Sequence, residues 1–149
     1  MTFKDGATTL GTGIRIGGTA TFFASGLAGG THSISAALTG TGVYSSSASA
    51  PLTQTVTPLS TVITLASSLN PATAGQAVKF TAAVTPATAT GTVTFMDGTT
   101  ILGTGTRAGG IATYSTTALT PGIHTITAVL AGTASYTGAT SVIVLQQVN

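Results

Sequence analysis

This chain repeats itself, and the repeat constrains the fold more than any other feature. Displaced by 92 residues, positions 1–57 lie on positions 93–149 without a gap, and 26 of the 57 aligned positions are identical. Thr2-Phe3-x-Asp5-Gly6 returns as Thr94-Phe95-x-Asp97-Gly98. Leu10-Gly11-Thr12-Gly13-x-Arg15 returns as Leu102-Gly103-Thr104-Gly105-x-Arg107, each followed by a Gly-Gly pair at 17–18 or 109–110. Gly30-x-His32-x-Ile34-x-Ala36-x-Leu38 returns as Gly122-x-His124-x-Ile126-x-Ala128-x-Leu130, Tyr44 matches Tyr136, and Gln54 matches Gln146. A match this long without gaps does not arise by chance, so the chain is about one and a half copies of one unit.

The second copy is the complete one, and its strands can be read from alternation. Val62–Leu65 opens it. Val78–Val84 follows, with Val78, Phe80, Ala82 and Val84 on one face. Val93–Phe95 runs to an Asp97-Gly98 turn, and a short strand is expected at Ile101-Leu102. Gly109-Gly110 signals a hairpin, leading into Ala112–Tyr114. His124–Leu130, with Ile126, Ala128 and Leu130 inward, and Val142–Val148 complete the unit. Seven short strands at this spacing, with no helical period, predict an antiparallel sandwich of two sheets of about three and four strands.

Both copies resemble the bacterial Ig-like (Big) repeats found in tandem in large surface and secreted proteins. The resemblance rests on Val93-Thr-Phe-Met-Asp-Gly, Leu102-Gly-Thr-Gly, Gly122-Ile-His-Thr-Ile-Thr-Ala and Tyr136-Thr-Gly-Ala-Thr-Ser. It implies an all-β, immunoglobulin-like antiparallel β-sandwich. It also implies a secreted or cell-surface setting and a structural role. One departure stands out. Such repeats often carry Gly-Asp-x-x-Tyr before the last strands, whereas here the stretches read Gly40-Thr-Gly-Val-Tyr44 and Gly132-Thr-Ala-Ser-Tyr136. The resemblance therefore carries over no cation-linked role for that loop.

The copies divide the chain into a truncated repeat at 1–57 (strands C to G), a short linker at 58–60 and a complete repeat at 61–149. The first copy lacks a counterpart of about residues 60–92, the first two strands. Met1 falls at the position of Val93, inside a strand, so the chain reads as a fragment of a longer array or as trimmed. The missing second strand would have supplied side chains like Val78, Phe80 and Val84. Burying two Val and a Phe contributes roughly 5–8 kcal/mol, against about 5–15 kcal/mol for a whole domain. An isolated first copy is expected to be marginal, and an ordered one needs a cover. Each chain has two units to close and one pair of opening strands, so identical chains cannot close every unit by donation. Self-association through residues 1–57 is the expected consequence. Other domains of a longer parent chain are further candidate partners.

Charge and composition close off most chemistry. Only 4% of residues are charged, where about a quarter is usual. Lys4, Arg15, Lys79 and Arg107 are scattered, and a nucleic-acid footprint needs a clustered basic face. There is no cysteine, hence no disulfide framework or thiol chemistry. No apolar run reaches the length of a membrane span, and Met1-Thr-Phe-Lys-Asp-Gly lacks the basic and apolar regions of a signal peptide.

The remaining candidates read as structural. His32 and His124 each open a strand in phase with its inward residues, as core-margin histidines bonded to backbone. One His per copy falls short of the ligands zinc needs. Asp5-Gly6 and Asp97-Gly98 have the chemistry of tight turns. One Asp per copy, with no Glu, makes neither an ordinary calcium site nor a glycosidase carboxylate pair. No Ser lies in a Gly-x-Ser-x-Gly turn. Glycines 103, 105, 109 and 110 lack a following helix or Gly-Lys-Ser/Thr, so they serve turns and close backbone approach, not phosphate. Arg15 and Arg107 are expected to be exposed or locally bonded. Tyr44, Tyr114 and Tyr136 are expected to pack with hydroxyls at the surface. No catalytic, cofactor or metal residue is expected, and no enzyme activity. The leading reading is a spacer or stalk module; a fibre- or dimer-forming subunit and a glycan-binding adhesin are the alternatives.

Overall fold

The computed structural model describes residues 1–149, the Thr106 side chain apart, and the chain forms two compact units, Met1–Thr57 and Pro58–Asn149. Among the described residues every regular element is a strand.

In the first unit β1 (Thr2–Asp5) pairs antiparallel with β2 (Thr8–Thr12), and β3 (Arg15–Ile16) forms a small hairpin with β4 (Thr19–Ala20) across the Gly17-Gly18 turn. β5 (Gly30–Leu38) lies against the other side of β1 and takes β6 (Ser47–Ala48) and β7 (Leu52–Val56) on its far edge. The five-stranded sheet so formed is joined by the separate β3–β4 ribbon, and Phe22, just after β4, stacks on Phe3. None of the unit's apolar side chains is buried among the described residues.

The second unit has two layers. β8 (Val62–Ser67) pairs with β9 (Val78–Thr85), which lies beside a strand from further along the chain. β10 (Val93–Asp97), β11 (Thr100–Ala108) and β12 (Ile111–Thr116) follow, and β9 pairs along the whole of β12. β13 (Gly122–Leu130) lies beside β10 and takes β14 (Ala139–Thr140) and β15 (Val144–Val148) on its other edge. The core fills the space between: Phe80, Ala82, Val93, Phe95, Ile126 and Leu130 are all at most 1% exposed. These are alternate residues of their strands, so the period of two puts one face inside and one in water.

Three details differ from the alternation-based expectation. The two layers are not separate sheets, because the expected short strand at Ile101-Leu102 is part of a nine-residue β11 that pairs with β10 through Gly105 and with β12 from Thr106. Gly103 marks the passage: a Cβ there would lie 2.5 Å from the Tyr114 ring. Next, the last strand begins at Val144 rather than Val142, because buried Ser141 turns its Oγ to accept the Ala128 N–H and breaks the ladder. Residues 58–60, expected as a linker, are built into the second unit. The Leu59 N–H donates to the Ser135 carbonyl and the Thr137 N–H to the Leu59 carbonyl.

Candidate functional site

The aspartate and histidine of each unit meet at one place, where the β1 or β10 strand ends in its Asp-Gly turn. Strand pairing sets Asp97 opposite Ile126, two residues along β13 from His124. The His124 ring donates from Nδ1 to Asp97 Oδ2 at 2.6 Å and from Nε2 to the Thr120 carbonyl at 2.8 Å. The Thr125 N–H donates to the other carboxylate oxygen at 2.9 Å, and the Gly98 N–H to the Thr125 carbonyl at 2.9 Å.

The first unit repeats this arrangement. His32 reaches Asp5 Oδ2 at 2.6 Å and the Ala28 carbonyl at 2.8 Å, and the Ser33 N–H meets Asp5 Oδ1 at 3.0 Å. In both copies the aspartate lies 27 residues before the histidine.

The acceptors favour the protonated ring: a backbone carbonyl only accepts, and so does an ionised carboxylate, and imidazolium is the form that donates from both nitrogens. The carbonyl of Thr120, then the Asp97 carboxylate, holds His124 above its ordinary 6.5, with partial burial opposing. For His32 the Asp5 carboxylate leads, the Ala28 carbonyl adds, and desolvation opposes. Asp5 is held below its ordinary 3.8, chiefly by the His32 hydrogen bond; desolvation opposes this and the Ser33 N–H adds to it.

This arrangement ties neighbouring strands to each other. A histidine acting as a general base needs a free ring nitrogen within reach of a proton, and here both nitrogens are committed within the unit. Among the described residues no cluster of three or more His, Cys, Asp or Glu could hold a metal ion. Sequence reasoning placed each His at the core margin with a backbone bond and each Asp in a turn, but missed that they pair. The signal available was the equal 27-residue spacing in both copies.

Other singled-out residues hold the layers of the second unit together. Tyr114 stacks on Phe95 with centroids 5.8 Å apart and donates to the Leu102 carbonyl. Tyr136 donates to Thr88 Oγ1 at 3.3 Å. Arg107 donates from Nη2 to the Ala87 carbonyl at 3.1 Å, 20 residues back along the chain. Gln146 was matched in the repeat but given no role, yet it is fully buried. Its Oε1 accepts from Ser67 Oγ, and its amide donates to the Leu69 carbonyl at 2.8 Å.

One concave feature of the first unit is an open groove of about 540 Å³, lined among others by Phe3, Leu10, Phe22, Ile34, Gln54 and Val56. Phe3 and Phe22 stack there, with centroids 5.5 Å apart.

A family model described as bacterial Ig-like domain (group 3) matches residues 65–149. No curated protein matches the sequence. Among solved structures, the fibronectin(III)-like modules of CbhA from Clostridium thermocellum are similar at a TM-score of 0.49 and 16% identity, over 99% of this chain and 75% of that one.

Proposed function

Because this chain belongs to the group 3 bacterial Ig-like domain family, we propose that it is a non-catalytic spacer or stalk module of a bacterial surface or secreted protein. The observation that carries this is the fate of its aspartates and histidines. In both units the Asp and His bond to each other and to backbone, where they fasten one strand to the next. A module whose two carboxylates and two imidazoles are spent on its own strands serves by its shape and its resistance to unfolding.

Force spectroscopy on the full chain, held at its two ends, tests this reading. Pro58–Asn149 should rupture in one discrete event and release on the order of 300 Å of chain. Extension without a resolved rupture would count against a load-bearing spacer. A glycan-array signal that disappears in Tyr136→Ala would replace it with the adhesin reading.

The open groove of Met1–Thr57 favours a second role, self-association through residues 1–57. Apolar surface of that kind is characteristic of contact sites. Sedimentation should then show a mass that rises with concentration; a monomer at every concentration would remove this second role.

A further inference from the structure

The two copies agree on one face of their shared sheet and disagree on the other. Toward the core, Phe95, Ile126, Ala128, Leu130 and Val148 have Phe3, Ile34, Ala36, Leu38 and Val56 as their counterparts. Outward, the second copy carries Met96, Ile101, Ile123, Ile143 and Leu145, where the first has Lys4, Thr9, Thr31, Pro51 and Thr53. All five differences run one way, from polar or proline to large and apolar. The first copy forms the same β1–β5 and β5–β7 ladders with hydroxyls and a lysine outside. The outward apolar side chains of the second unit are therefore not required by its strand pairing.

Register gathers them into one patch. Ile101 lies opposite Met96, and Met96 lies opposite Thr127 of β13. Across the other edge of β13, Leu145 lies opposite Thr125 and Gln147 opposite Ile123. Ile123 and Leu145 are thus diagonal neighbours, within reach of each other on one face. Ile143 stands one residue ahead of β15. Ile101, Ile123, Ile143 and Leu145 are 60–73% exposed, and Met96 is partly exposed. The other outward residues of β10, β13 and β15 are Thr94, Thr125, Thr127, Val129 and Gln147, none of them charged. Together the exposed aliphatic side chains offer on the order of 500 Å² of apolar surface, the upper end of what a monomer's largest patch shows.

We propose that this outer face of β10, β11, β13 and β15 is a contact surface for a second copy of the chain, the two second units meeting face to face across a two-fold axis. Three features select that occupant. A two-fold contact sets a patch against itself, and this patch brings no charge against a like charge, whereas two first units meeting the same way would oppose Lys4 to Lys4. Two such patches bury about 1,000 Å² in total, which is what a specific interface needs. Sheets pack face to face by interdigitating side chains, and Ile, Leu, Met and Val set among Thr are suited to such a layer. No aromatic or charged side chain stands among these outward residues to hold a sugar or an ionic partner. The contact is separate from the groove of Met1–Thr57 and goes beyond the spacer role, because it joins two spacer modules through their second units.

Sedimentation of the full chain, with and without three substitutions, tests this. Wild type should pass from monomer to dimer as concentration rises. A variant with Ile101→Thr, Ile123→Thr and Leu145→Thr installs the residues the first copy itself uses, and should raise the dissociation constant by at least about a hundredfold. A dimer of unchanged strength in this variant would be held elsewhere, as by the open groove, and would overturn the proposal. So would a wild-type chain that stays monomeric at every concentration. The chain has no cysteine, which allows a second measurement that leaves the apolar residues in place. Thr125→Cys, within the patch, should form an intermolecular disulfide faster than Lys79→Cys, exposed on β9. Equal rates would also count against a contact at this face. The force experiment reads the spacer role on single chains, so either reading can fail without the other.

Discussion

At the scale of single residues, the Asp–His pairs show how a nearly uncharged chain uses the few charges it has. Each pair satisfies a carboxylate, two ring nitrogens and backbone groups at the point where one strand ends and another begins. Short charge-assisted bonds are the stronger class, and the imidazolium they favour has a pH dependence of definite sign. His32 and His124 bind their protons more tightly folded than unfolded. Their contribution is complete below the unfolded value of 6.5 and is lost as pH rises through the higher folded value. Asp5 runs the other way: its contribution is present above 3.8 and is lost as pH falls through its lower folded value. The His124 ring protons, followed by NMR, should titrate with a midpoint above 6.5, and Asp97→Asn should bring that midpoint down. A wild-type midpoint at or below 6.5 would mean that the ring is neutral, with one nitrogen not donating.

At the scale of elements, alternation made most strands legible and register made the rest invisible. Val78, Phe80, Ala82 and Val84 are buried as their spacing implied. Ile101-Leu102 looked like a short strand because Gly103 and Gly105 interrupt its apolar pattern. Those glycines do not end β11; they let it run on beneath two rings. Period-two reading treats glycine as punctuation, and it cannot see the ring that will need the space. The Asp–His pairing was hidden for a related reason: it joins residues of two strands, and only pairing register brings them within reach. A substitution at the passage tests this account. Gly103→Ala would place a methyl group 2.5 Å from the Tyr114 ring, and forcing such overlap costs about 1–3 kcal/mol. Urea denaturation of the second unit should show a loss of that size. An unchanged midpoint would mean that the Tyr114–Phe95 stack moves aside freely.

At the scale of the whole molecule, one repeat is present in two conditions, which separates what a strand order specifies from what a core supplies. The β1–β5 ladder has the register of the β10–β13 ladder, with Phe3 opposite Ala36 as Phe95 is opposite Ala128. Along this ladder the pairing, the Asp-Gly turn and the Asp–His pair are thus the same in both. The difference lies in burial, since Phe95 and Ile126 are wholly enclosed and Phe3 and Ile34 are not. Local opening costs little where few apolar contacts are lost. Amides of Ile34–Leu38 should therefore exchange far faster than those of Ile126–Leu130, despite matching hydrogen bonds. Phe80→Ala takes the test further, because it removes the largest side chain that β9 places over the second unit. Truncating a buried Phe costs about 3–5 kcal/mol, and the exchange of Ile126–Leu130 should move toward that of Ile34–Leu38. The substitution lies in the second unit, so the exchange of the first unit should not change. If Ile126–Leu130 stayed as protected as before, stability in this repeat would reside in the strand ladder and not in the cover laid over it.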